Sequence, residues 1–142
     1  MYSLQYIDVS PGSGALAEAE HCLYAHYTGW LVDGRKFDSS RDTASNGQPR
    51  APIGFKQGAR QVIAGWDSGF EGMRVGGMRR LLIPYQIAYG ANGRPPGIPA
   101  RSMLVFDVEL MDVTVAPPMP AQVPGQSTVH PRCPAWAERG TR

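Results

Sequence analysis

The chain has 142 residues and a mass of 15.4 kDa, enough for one buried core and too few for two. Its 42% apolar and 18% charged residues exclude a disordered, collagenous or membrane-spanning chain. A formal net charge of +2, with the basic residues scattered, excludes the basic stripe of a nucleic-acid binder.

Taken in chain order, residues 4–9 read as a first strand, ended by Ser10-Pro11-Gly12. Residues 22–32 are rich in β-forming types. They close on Asp33-Gly34 and are answered by Lys36-Phe37-Asp38, a strong hairpin signal. Between Gly58 and the Gly76-Gly77 break, Ile63, Trp66, Phe70 and Met73 recur at three- and four-residue steps, which predicts one short helix with a single apolar face. Residues 78–83 read as a strand stopped by Pro84. In the last strand Leu104, Phe106, Val108 and Leu110 alternate with Val105, Asp107, Glu109 and Met111, the period of a strand buried on one face. This strand is expected to be the longest and most central. The class is therefore α+β, an antiparallel sheet with one short α-helix.

Two long connections, 43–52 and 84–102, are rich in Pro and Gly, and loops of that length in a small domain are commonly functional. From Ala116 onward Pro117, Pro118, Pro120, Pro124, Pro131 and Pro134 interrupt any ladder or helix. Residues 1–115 are read as one folded domain and 116–142 as a Pro-rich flexible tail. Cys22 and Cys133 are too few and too distant to define a disulfide framework. The first residues have no basic region followed by an apolar run, and no stretch of about 18 apolar residues occurs. A reducing, cytoplasmic setting is the expectation.

Three chemistries suggest themselves and fail. Gly12-Ser13-Gly14 after a strand, with Asp33 about 20 residues on, has the spacing of a dinucleotide fingerprint. Only residues 15–20 are left for the crossover helix, which is too short to reach a parallel strand, so a Gly-rich turn is the better reading. His21, Cys22 and His26, joined by His130 and Cys133, offer metal-ligand types, but the second half would have to come from the Pro-rich tail. A Cys-His nucleophile lacks a third orienting group. No cofactor or metal is expected.

The stronger signal is an aromatic load around the two long loops: Tyr27, Trp30, Phe37, Phe55, Trp66, Phe70, Tyr85, Tyr89 and Phe106. Tyr and Trp suit a half-wet pocket because each carries a polar group on an apolar ring.

The run Ala25-His26-Tyr27-Thr28-Gly29-Trp30-Leu31-Val32-Asp33-Gly34-Arg35-Lys36-Phe37-Asp38-Ser39-Ser40 closely resembles the opening of FKBP-type peptidyl-prolyl cis-trans isomerases, the immunophilin family. Val62-Ile63-Ala64-Gly65-Trp66, then Ala88-Tyr89-Gly90, then Leu104-Val105-Phe106-Asp107 agree in the same order. The resemblance covers residues 3–113 and implies a curved antiparallel sheet wrapped across one short helix, with an apolar cavity between them for a prolyl residue. It implies catalytic roles for Tyr27, Asp38, Tyr89 and Phe106. Substrate contacts would come from Phe37, Ile53, Phe55, Val62, Ile63, Ile98 and Leu104, with the Trp66 indole as the floor. Asp38 would accept a hydrogen bond from the Tyr27 hydroxyl.

The resemblance further implies a cofactor-independent monomer that rotates X-Pro bonds in peptides and unfolded proteins and so assists folding. Macrolides of the tacrolimus and rapamycin type would compete for the cavity, and neither nucleic acid nor membrane would be a partner. The alternative is a domain of the same fold that binds a proline-containing or apolar segment without turnover. Loop 43–52 is longer than in minimal members of the family, and Ile53 stands where an aromatic residue is common. Gln61, Arg94 and Pro95-Pro96-Gly97 also depart from the best-known pattern, so selectivity is expected to be this chain's own.

Overall fold

A computed structural model describes residues 3–43, 46–121, 123–125 and 129–139. The strands are β1 (Gln5–Ser10), β2 (Cys22–Leu31), β3 (Lys36–Ser39), β4 (Ile53–Lys56), β5 (Met78–Ile83) and β6 (Leu104–Thr114), with one helix, α1 (Ala64–Gly69). They form one antiparallel sheet in the order β1-β5-β6-β2-β3. The early half of β2 also pairs with β4, through Cys22–Lys56 to Ala25–Ile53. The curved antiparallel sheet with one short helix is the expected class. Two details differ from expectation. Strand β4 is too short, and too interrupted by Gly54, to show a period. Helix α1 stops before Phe70 and Met73, which are buried from the turn that follows it.

Alternation along the central strands sends Leu23, Ala25, Tyr27 and Leu31 of β2 and Leu104, Phe106, Val108 and Leu110 of β6 to the face that α1 covers. A bulge in β6 opposite Tyr24 and Ala25 leaves Met111 without a partner and restores the alternation at Val113. Helix α1 lies close on β5: a Cβ on Gly65 would stand 2.5 Å from Cγ2 of Ile83. Arg79, 5% exposed on β5, ties the end of the helix down by donating to the Gly69 carbonyl at 2.9 Å and the Glu71 carbonyl at 2.7 Å. Fully buried Leu81, Ile83, Leu104 and Leu110 each add about 1.5–3 kcal/mol of transfer free energy.

The other face of β2 corrects the reading of the cysteines and carries part of the tail. Cys22 and Cys133 form a disulfide across 111 residues, with Cα atoms 5.8 Å apart. Neither thiol is free, so the premise of a reduced chain does not hold. Among its described residues the tail has no ladder or long helix of its own, yet its stretch 130–139 is docked on the sheet. The Tyr24 hydroxyl donates to the Pro134 carbonyl at 2.8 Å, and the Tyr24 ring meets Trp136 edge-on at 5.7 Å. Arg139 stacks 3.4 Å above the Trp136 ring and donates to Asp112 at 2.8 Å. The physical reason is that both faces of β2 carry large side chains at its start, and a prolyl segment can cover the outer one without strand hydrogen bonds.

A bridge that closes so long a loop restricts the unfolded chain, so Cys133→Ser should lower the unfolding free energy by about 2–4 kcal/mol in urea denaturation. An unchanged midpoint would show that the tail adds no constraint.

Candidate functional site

Between α1, strands β2, β3 and β6 and the two long loops lies a cavity of ≈ 210 Å³. Its floor is Trp66, 4% exposed, whose indole α1 sets against Tyr27 of β2 and Phe106 of β6. Tyr27 meets that ring at 5.0 Å and 76°, Phe106 meets it at 5.3 Å and 82°, and Phe37 meets Phe106 at 5.5 Å and 89°. These edge-to-face contacts fix each ring against its neighbour while leaving the space above the indole open. Gly29 makes the arrangement possible. It pairs with Phe106 on one side and Asp38 on the other, and a Cβ there would lie 2.6 Å from Phe37 and 2.7 Å from Phe106.

The polar corner is a closed network. The Tyr27 hydroxyl donates to Oδ2 of Asp38 at 2.6 Å, and the Ser39 N–H donates to Oδ1 at 2.9 Å. Arg50, from loop 43–52, donates through Nη1 to Oδ1 of Asp38 at 2.9 Å and to the Ser39 carbonyl at 2.7 Å. Burial and then the hydrogen bond and charge of Asp38 push the Tyr27 hydroxyl up to about 12, so it stays protonated. Burial pulls the Asp38 carboxyl upward, but the bonds from Tyr27 and Arg50, the Arg50 charge and the Ser39 N–H outweigh it and hold the group below its ordinary value.

The structure brings most of the anticipated site residues to this cavity: Tyr27, Phe37, Asp38, Ile53, Val62, Ile63, Trp66, Tyr89 and Phe106 line it. Ile98 lies in an adjoining cleft, which shares Phe37, Asp38, Tyr89 and Arg94. Phe55, 1% exposed, and Leu104, 0% exposed, do not line either hollow. Phe55 backs the Trp66 and Phe70 rings at 5.8 and 5.4 Å, and it and Leu104 pack in the core behind the cavity.

Reading the residues alone misses Gly29 and Arg50. A lone Arg in a long loop carries no signal, whereas Gly29 inside a run of β-formers is a cue to close approach. Gln61 and Arg94, noted as departures, stand on the cavity wall, with Arg94 5.6 Å over the Tyr89 ring. Gly12 and Gly14 pack against the segment before β5, and Asp33 accepts from Arg35 N–H in the hairpin turn, so they share no site. Among the described residues no group of three His, Cys, Asp or Glu side chains could hold a metal ion.

Because the Asp38 value is depressed in the folded state, its stabilisation is complete above the ordinary value of 3.8 and is lost as pH falls through the lower native value. Wild type should therefore exceed Asp38→Asn in thermal stability at neutral pH, with the gap closing below about pH 4. A gap that stays constant down to acid pH would contradict the network.

Residues 14–111 match the family model described as FKBP-type peptidyl-prolyl cis-trans isomerase. An FK506-binding protein of Neisseria meningitidis serogroup C is 45% identical over 113 residues, covering 80% of this chain and 98% of the relative. The peptidyl-prolyl cis-trans isomerase FKBP2 of Mus musculus is 41% identical over 109 residues, covering 70% and 74%. The chain spans only 28% of FK506-binding protein 4 of Dictyostelium discoideum, to which it is 45% identical over 108 residues. Among solved structures, a peptidyl-prolyl cis-trans isomerase of Pseudomonas syringae superposes with a TM-score of 0.66 at 33% identity, covering 78% of this chain and 75% of that one. FkpA from Escherichia coli superposes at 0.68 and 40%, covering 80% and 49%. With the family match extending over most of its length, this chain belongs to the FKBP-type peptidyl-prolyl cis-trans isomerases.

Proposed function

We propose that the cavity above Trp66 takes the proline ring of an X-Pro segment and that Tyr89 donates to a carbonyl of the bound chain. Rotation about an X-Pro amide passes through a twisted state without C–N conjugation, over a barrier of about 18–20 kcal/mol, and takes tens of seconds unaided. The step breaks no covalent bond, so it requires no nucleophile and no cofactor. The twisted amide is less polar than the planar one, and a cavity that removes water and fits the twisted shape favours it selectively.

The observation that carries the role of Tyr89 is a contrast between two phenols on one wall. Tyr27 is committed to Asp38, whereas among the described residues no group hydrogen-bonds the Tyr89 hydroxyl. The Ile63 N–H, beside the cavity at the start of α1, is likewise without an acceptor among the described residues. These two donors, beside the indole N–H of Trp66, which is unpartnered among the described residues, are offered to a substrate's carbonyls. Tyr27, Asp38 and Arg50 then act by holding the wall in place, and Phe106 by shaping the hollow.

Proline-containing peptides and unfolded proteins are the substrates of this reading, and macrolides of the FK506 type compete for the same hollow, as the names of the relatives suggest. The protein works as a monomer. Among the described residues no helix is long and apolar enough to cross a membrane. The Cys22–Cys133 bridge favours an oxidising compartment over the cytoplasmic expectation, because structural disulfides persist where thiols are not kept reduced.

Kinetics on a proline tetrapeptide test the roles. Tyr89→Phe should lower kcat/KM about 3- to 10-fold, the worth of one hydrogen bond. Phe106→Ala should abolish most of the activity and cost about 3 kcal/mol of stability. Tight peptide binding with no acceleration by the wild-type protein would favour the non-catalytic binding domain instead.

A further inference from the structure

On the far side of Gln61 lies a hollow that the isomerisation does not use. This cleft of ≈ 420 Å³ is lined by Ala59, Arg60, Gln61, Val129, His130 and Arg132. Gln61 also lines the prolyl cavity, so one side chain forms the partition between the two. Its amide is held at both ends: Oε1 accepts from the Lys56 N–H at 3.0 Å, and Nε2 donates to the Pro131 carbonyl at 3.2 Å. The opposite wall is the tail, kept there by Cys133 and its bond to Cys22.

The charge in this cleft has one sign. Arg60 and Arg132 are exposed, and among the described residues neither forms an ion pair. Behind them Lys56, 3% exposed, rests its Nζ 2.7 Å from Nδ1 of His130 and 3.3 Å from Sδ of Met119. The carboxylate that anchors this loop, Asp67, accepts from the backbone N–H groups of Gly58 at 2.9 Å and Arg60 at 3.2 Å. Among the described residues the lining thus holds two guanidinium groups and a histidine, with buried Lys56 behind them, and no carboxylate. Such a surface repels cations and pairs with a planar carboxylate in two-pronged fashion.

We propose that this cleft is an extended substrate subsite that takes an Asp or Glu side chain of the same chain whose X-Pro bond sits in the adjoining cavity. The proposal rests on the isomerase reading, because its position matters only if a peptide runs over the Gln61 partition. The tail then serves specificity: it supplies His130 and Arg132, and rotation at Trp66 proceeds without it.

The test is a peptide series with a Leu-Pro core in which Glu is moved from two to five positions away on either side, each peptide matched by its Gln counterpart. At low salt, one or two Glu positions should show kcat/KM about 3- to 10-fold above Gln, through KM rather than kcat, as expected of a few half-exposed charge pairs. The advantage should vanish at about 1 M salt, where screening acts within a few ångströms, and in the Arg60→Ser/Arg132→Ser double variant. That variant should turn over the Gln peptides as the wild type does. Arg132→Glu should turn the preference toward peptides carrying Lys. Equal Glu and Gln values at every position, or a Glu preference that survives loss of both arginines, would overturn the proposal. NMR titration of the same peptide pairs separates it from the isomerase reading. Tighter Glu binding without any acceleration would keep the cleft and remove the catalysis, and acceleration without tighter Glu binding would do the reverse.

Discussion

The structure depends on holding an indole at the bottom of a hollow without letting anything fill the space above it. Trp66 comes from a helix of only six residues, so it cannot be positioned by the helix alone. Its place is set from outside, by Ile83 packed against Gly65, by Arg79 on the carbonyls that end the helix, and by Tyr27, Phe55, Phe70 and Phe106 packed around the ring. The rings meet edge to face, which ties their orientations together and leaves one side of the indole to a ligand. An apolar hollow of this kind invites collapse. Here the collapse is resisted by a salt-bridged polar corner in which Arg50, Asp38 and Tyr27 anchor loop 43–52 to the sheet.

The same strand that lines the cavity carries the tail on its back. At the start of β2, Leu23 and Ala25 face α1, while Cys22 and Tyr24 face the docked segment around Pro134 and Trp136. Part of this burial is provided by residues that lie beyond the family match, which ends at residue 111. The tail therefore extends the sheet's second face as well as the surface beside the cavity, where Pro131 accepts from Gln61.

Much of this was legible in the residues, for identifiable reasons. Strands β5 and β6 bury one face each and so alternate cleanly, the Asp33-Gly34 turn announces the β2–β3 hairpin, and the spacing of Ile63, Trp66 and Phe70 marks one side of α1. Where the reading stopped, a non-local contact decides. Strand β4 exists because β2 is long enough to pair with both β3 and β4, which a four-residue segment cannot declare by itself. The bulge at Met111 is invisible until β2 lies beside it. Arg50 acquires its role only when the loop folds onto Asp38, and Phe55 and Leu104 share the apolar character of the cavity lining while facing the core. Cys22 and Cys133, 111 residues apart, meet only once the tail has crossed the outer face of the sheet.

The central claim is that the hollow above Trp66 speeds rotation about the X-Pro bond rather than merely holding a proline. Exchange spectroscopy by NMR on a prolyl peptide, with the protein present at a small fraction of the peptide concentration, reads this directly. The account predicts cis–trans exchange cross-peaks on a sub-second timescale where the free peptide shows none, suppressed when the cavity is blocked by an FK506-type macrolide. Shifted peptide resonances with an unchanged exchange rate would contradict it.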